Sequence, residues 1–363
     1  MPKFYFIIFL LIFSKCKSKE INTIPKSNPK RNLVIVAITN YDWDKIAIFF
    51  NSYEQAHFEN TDLVVYVHNM NKGTVNKIRS VGAIILPFPE EYKKVSIINS
   101  RWILYSIYLK KYKDKYNMVF TADTRDVFFQ KDIFEFYKDI KTSFLGIAIE
   151  DGYLTERINN EWLVNAYGKE ETKALEKERI ICVGTIWGTA DKFVEFCDIM
   201  WEKLSSDWST RLKVIEQAVG NYLIYHDKMF NDCIIWSENK DGPVMTIGLT
   251  DRAKIRLDEE KNVLNYKGEV AAIVHQYERK EDLNQNAIDK YYPEYNDKLV
   301  RYVNIFLIGI VLGTFILGFI YLYRYNTQKF FNLNMNKRSG KQHTDYDEGK
   351  KNIFFYIIIF SFL

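Results

Sequence analysis

Short runs of consecutive apolar residues alternate with longer stretches in which apolar residues return every three or four positions, and this rhythm organises the first half of the chain. LVIVAIT at 33–39, LVVYVH at 63–68, AIILPF at 83–88 and MVFTA at 118–122 have the make-up of buried strands. Between them Trp43, Ile46, Ala47, Phe50, Tyr53 and His57 keep helical spacing. Residues 73–80 predict a short helix and 96–112 a longer one, with Trp102, Tyr105, Ile107, Tyr108 and Tyr112 expected inward. Strands alternating with helices predict parallel pairing through right-handed crossovers. The expected fold class is therefore α/β: a doubly wound, mostly parallel sheet with helices on both faces.

The second half changes pattern. FLGIAIED at 144–151 and IICVGTIWG at 180–188 read as further strands, and 152–178 is too irregular to assign. Residues 189–204 predict a helix with Phe193, Phe196, Cys197, Met200 and Trp201 on one face, and 211–225 another. Short strands at 244–249, 255–258, 263–266 and 271–277, with a turn at Glu260-Lys261-Asn262, suggest a smaller antiparallel layer beside the main sheet.

The two ends differ from the middle. A lysine and then the apolar run 4–13, followed by polar residues, have the layout of a cleaved secretory signal over 1–19. Residues 303–323 are apolar apart from Asn304 and Thr314, long enough to cross a bilayer once, and seven basic residues follow. The expected order is signal 1–19, polar lead 20–32, main domain 33–280, stem 281–302, transmembrane helix 303–323 and cytoplasmic tail 324–363, a single-pass membrane protein of the secretory pathway. A final apolar segment at 353–363 is too short to span. The net charge of +4 belongs to the ends: four lysines in 1–19 and an excess of four cations after 323 leave −4 for 20–323. A partner nucleic acid is not expected. Cys16 leaves with the signal, so Cys182, Cys197 and Cys233 make one disulfide and a thiol, or three thiols; none has metal-ligand spacing.

The chemistry concentrates at Asp123-Thr124-Arg125-Asp126, directly after the fourth strand. Ligands of open α/β sheets bind at that end of a strand, and carboxylates there suit a hard divalent cation carrying phosphates. Arg125 could meet a phosphate or lock one carboxylate; the alternative is a strand end closed by a surface Asp–Arg pair.

Four stretches in order, Asp123-Thr124-Arg125-Asp126-Val127-Phe128-Phe129-Gln130, Val183-Gly184-Thr185-Ile186-Trp187-Gly188, Glu216-Gln217-Ala218-Val219 and Ile273-Val274-His275-Gln276-Tyr277-Glu278-Arg279, resemble the GT-A-fold glycosyltransferases. The likeness covers roughly residues 33–280. It implies a nucleotide-diphosphate sugar as donor, a glycan or glycoconjugate acceptor, and Mn²⁺ or Mg²⁺ held by Asp123, Asp126 and the late His275, although the family's usual Asp-x-Asp has Arg125 at its third position. It implies nucleotide contacts from Thr39, Asn40 and Tyr41, donor contacts from Arg101 and Arg125, and close backbone approach at Gly184 and Gly188. The family often has Asn where Cys182 stands. Glu216, and second Asp151, are the candidate catalytic carboxylates if the reaction inverts the anomeric centre. Trp162, Tyr167, Trp187 and Trp208 are aromatics that could stack on an acceptor sugar or fill the core. Two other classes remain open. One is a catalytically inactive type I surface protein that binds glycans or a partner, which the altered acidic motif and the C-terminal anchor favour; the other is a nucleotidyltransferase, whose Gly-rich basic loop is absent.

Overall fold

The computed structural model describes residues 30–93, 95–206 and 215–338. The expected signal at 1–19, most of the polar lead, Cys16, Trp208, the start of the 211–225 helix and the 353–363 end lie outside the described residues. The chain divides into two compact units, Met1–Tyr292 and Pro293–Leu363.

The first unit begins with the predicted alternation: β1 (Arg31–Thr39), α1 (Trp43–Gln55), β2 (Thr61–His68), α2 (Lys72–Ser80), β3 (Ile84–Pro87), α3 (Ile97–Tyr112) and β4 (Tyr116–Ala122). After β5 (Val127–Phe129) come β6 (Leu145–Tyr153), α4 (Arg157–Tyr167), α5 (Lys169–Thr172), β7 (Arg179–Thr189), α6 (Ala190–Ser205), α7 (Glu216–Tyr225) and β8 (Ile234–Glu238). Seven of these strands form one sheet in the order β3-β2-β1-β4-β7-β6-β8. All neighbours pair in parallel except β7, which is antiparallel to both β4 and β6. The fold is thus mixed α/β with a mostly parallel sheet.

Both faces of β1 are covered, which is why its sequence is unbroken. Leu33 and Ile35 point into one core with Trp102 and Tyr105 of α3 and Phe193, Phe196 and Met200 of α6. Val34, Val36 and Ile38 point into the other, with Ile46, Phe49 and Phe50 of α1 and Phe129 of β5. Each such side chain contributes about 1.5–3 kcal/mol when fully buried. Two residues of α3 expected inward are not: Ile107 is 47% and Tyr112 38% exposed. Ile107 lies two positions beyond Tyr105, about 200° round the helix, so it faces away from the stripe that Trp102, Tyr105 and Leu109 bury.

The remaining short strands, β9 (Val244–Thr246), β10 (Arg256–Leu257), β11 (Val263–Leu264) and β12 (Ile273–His275), do not extend the main sheet. β10 and β11 make a hairpin whose turn holds Lys261 at φ +61°, as the Glu260-Lys261-Asn262 signal predicts. β12 lies between β5, antiparallel to it, and β9, parallel to it, so the second layer is mixed. Gln130 clips this layer together: its amide donates to the carbonyls of Val263 and Ala271 and accepts from Val263 N. The unassigned stretch 152–178 contains α4 and α5. The unit closes with α8 (Glu281–Tyr291), whose Leu283, Ala287 and Tyr291 are buried.

Beside β5, Asp132 accepts from Phe134 N at 2.8 Å, and burial pushes its carboxyl up to about 6 against the pull of that bond. The folded state therefore keeps this proton longer than the unfolded chain does. Stability falls as pH rises from about 4 to about 6, and the loss is complete above the folded value. Asp132→Asn removes the slope. Denaturant midpoints of the full chain in detergent should show the variant gaining on the wild type through that interval; a constant difference would contradict it.

The second unit is described through α9 (Glu294–Arg338), whose stretch Glu294–Asn332 is long and apolar enough to cross a membrane.

Candidate functional site

The strand order turns back between β1 and β4, since β2 and β3 lie on one side of β1 and the later strands on the other. A crevice opens outside the carboxyl ends of strands at such a point. Here it is a cavity of about 500 Å³, with Thr39 ending β1 and Tyr41 just beyond it, and Asp123, Thr124, Arg125 and Asp126 after β4.

Two features of the chain bring His275 to these acids. After Asp126 the backbone turns directly into β5, which pairs with β12 so that Val127 faces His275, and Gln276 N donates to Asp126 O at 2.7 Å. The register of β6 against β7 also slips, from Ile147 opposite Ile186 to Ala148 opposite Cys182, releasing Val183-Gly184-Thr185 from pairing with β6, while Thr185 still pairs with Ala122 of β4. Gly184 O then accepts from Asp123 N at 2.8 Å. A Cβ on Gly184 would lie 2.5 Å from His275 Cε1 and 2.7 Å from Asp123 Oδ2, so only glycine leaves room for both side chains.

Ligand atoms of Asp123, Asp126 and His275 lie within 4.8 Å of one another. His275 Nε2 is 3.5 Å from Asp126 Oδ1 and 3.7 Å from Asp123 Oδ2, and it is buried without a hydrogen-bond partner. Burial opposes charge on the ring, but Cys182 and Asp126 outweigh it and draw the imidazole well above its ordinary value. Asp126 is held below the usual carboxylate range: burial works against this, and His275 and Arg125 overcome it. Two carboxylate oxygens and an unpartnered imidazole nitrogen at this spacing fit a divalent cation such as Mn²⁺ or Mg²⁺.

Arg101, expected among the donor contacts, is buried and fully used. Its Nη1 donates to Asp123 Oδ1 at 2.6 Å, its Nη2 to Glu216 Oε1 at 2.7 Å and to Val183 O, and its Nε to Glu216 Oε2 at 3.1 Å. Trp102 Nε1 donates to the same Glu216 Oε2 at 2.9 Å. Burial pushes the Glu216 carboxyl up to about 8 while Arg101 pulls it back. Its neighbours here all donate, which suits a carboxylate and offers no acceptor for a carboxylic proton. Arg125, at the cavity wall, pairs with Glu278 at 2.5 Å rather than with either adjacent aspartate.

Thr39, Tyr41, Arg101, Arg125, Gly184, Glu216 and the three candidate ligands all line the one cavity. Asn40, Gly188 and Asp151 do not. Asn40, at φ +57°, accepts from Asn69 Nδ2 across the β1 and β2 loops. Gly188 packs against Phe144, whose carbonyl oxygen would lie 2.5 Å from an added Cβ. Asp151 is engaged by Tyr266, Thr250 and Asn239. Its neighbour Glu150 lines the cavity instead, because successive side chains of a strand point to opposite faces. Glu150 is buried, accepts from Gln217 Nε2 at 3.4 Å, and is raised by that burial. The paired acids at the end of β6 were the available signal for it. Arg279 also lines the cavity, and its guanidinium has no hydrogen-bond or ion-pair partner among the described residues.

Of the aromatics, Trp162 lines the cavity, Tyr167 stacks on Tyr222 with centroids 3.7 Å apart, and Trp187 is core. Among the described residues Cys182, Cys197 and Cys233 are free thiols.

No protein-family model and no curated protein matches the chain. Among solved structures it is similar to the galactosyltransferase LgtC in complex with donor and acceptor sugar analogs, at 14% identity and TM-score 0.40. It is also similar to an active-site mutant of LgtC, at 12% identity and TM-score 0.41. Each likeness covers 67% of this chain and 86% of the other.

Proposed function

We propose that this chain is a GT-A-type glycosyltransferase that moves a sugar from a nucleotide-diphosphate donor to a glycan, protein or lipid acceptor, at a centre where Asp123, Asp126 and His275 hold a divalent cation. The observation that carries this reading is the convergence of those three ligand atoms in the cavity at the sheet's turning point. A bound Mn²⁺ or Mg²⁺ supplies positive charge against the charge that grows on the diphosphate as the sugar–phosphate bond breaks. The unpaired Arg279 adds a second positive group, able to take two phosphate oxygens. Arg101 orients Asp123, and Thr39 with Tyr41 forms the wall that receives the nucleotide. Glu150, unlike Glu216, makes no direct ion pair among the described residues, although His275 and Arg279 act on it across the cavity, and it is the carboxyl assigned to meet the acceptor hydroxyl. The long apolar helix and the basic residues after it support a single-pass anchor, with the main domain luminal or extracellular.

Calorimetric titration of the full chain in detergent with UDP and with GDP, each with and without Mn²⁺, tests the reading. One nucleotide is expected to bind at least about tenfold more tightly with the cation, a gain of about 1.4 kcal/mol. Arg279→Gln should weaken that nucleotide about tenfold without any loss of Mn²⁺ uptake, since it removes a positive charge near Asp126. Failure of both nucleotides under all conditions overturns the transferase. Nucleotide binding without hydrolysis of any sugar donor would favour the non-catalytic glycan-binding alternative.

A further inference from the structure

The side of His275 turned away from the carboxylates meets a sulfur. Cys182 Sγ lies 3.2 Å from His275 Nδ1, and both residues are buried, each 1% exposed. Cys182 and Gly184 thus bracket the ring from one strand, the first offering a polar atom and the second offering space. A neutral imidazole carries a single N–H, on one nitrogen or the other. Nε2 can turn a lone pair toward Asp123 and Asp126 only if Nδ1 keeps the hydrogen, and a buried N–H needs an acceptor. Among the described residues, the hydrogen-bond partner of Nδ1 is Cys182.

We propose that Cys182 is the positioning residue of the cation centre: its sulfur accepts the Nδ1 hydrogen, fixes the ring and tautomer of His275, and so sets the affinity for a divalent cation. The inference rests on the cation reading above and adds what holds the histidine ready for it. Groups in this relation to a metal-binding histidine are typically worth about 10- to 100-fold in metal affinity.

Mn²⁺ titration of the full chain in detergent, followed by electron paramagnetic resonance, reads this without any turnover. Cys182→Ala is expected to bind Mn²⁺ about 10- to 100-fold more weakly than wild type. Cys182→Ser, whose hydroxyl oxygen still accepts, should stay within about threefold of wild type. Thermal midpoints in EDTA identify any variant that fails to fold. Equal affinity of C182A and wild type overturns the proposal, as does an equal loss in folded C182S and C182A, which would make the effect one of packing. The wild type gives a reading independent of variants: in saturating Mg²⁺ the imidazole nitrogen shifts of His275 should report a hydrogen on Nδ1, and a hydrogen on Nε2 overturns the proposal. If the wild type takes up no cation, the cation reading falls and this inference with it; if it binds and C182A binds equally, only this inference falls.

Discussion

Asp126→Ala is expected to abolish cation-dependent nucleotide binding and to lower donor turnover by about 10³-fold or more, equivalent to about 4 kcal/mol of charge stabilisation in the transition state. Asp126 is buried, 3.5 Å from His275 Nε2, and removing it leaves Asp123 as the one carboxylate of the group. Asp123→Ala should be as damaging to activity and also disturb stability, since it takes a partner from the buried Arg101. The Asp126 variant separates the two effects because, among the described residues, no arginine hydrogen-bonds to that carboxylate, and Arg125 and Arg279 act on it only at longer range. Mn²⁺ binding and donor hydrolysis measured on one preparation check the expectation; hydrolysis within tenfold of wild type would sink the assignment of Asp126.

The second large effect is on folding. Glu216→Ala should lower stability by about 3–5 kcal/mol, because it strips a buried guanidinium of the carboxylate that meets it at two points. Asp123, 41% exposed at its side chain, cannot replace that pairing. Glu216→Gln keeps the volume and loses the charge, and should fall between the two proteins. A catalytic base would behave in the opposite way, with the glutamine variant folding normally and turning over poorly. Chemical denaturation of both variants beside donor hydrolysis distinguishes brace from base; a stable, inactive E216Q would restore Glu216 to the chemistry.

These two expectations mark where the sequence was legible. Asp123 and Asp126 could be found because a strand end in an α/β chain is a place where ligands gather, and the strand itself is unmistakable in MVFTA. Glu150 and Asp151 show the limit of the same rule. The strand end was readable, but which of two successive acids faces the crevice depends on the pleat, and the register slip between β6 and β7 was not written in the composition. Arg101 and Arg125 both read as donor contacts, yet each already has a carboxylate partner, while Arg279 makes no ion pair among the described residues. Charge type is a property of the residue; charge availability depends on what lies across from it.

By itself the sequence determined the alternation of strands and helices, the two faces of β1, the acids after β4 and the apolar length of the C-terminal helix, because each follows from the period and chemistry of neighbouring residues. Only the tertiary structure decided that β7 runs backward through the sheet, that β5 and β12 pair so that His275 meets acids 149 and 152 positions earlier, and that Gly184 leaves them room. Those outcomes depend on strand pairing between distant segments, whose register is set by the packing of whole layers rather than by any local stretch of chain.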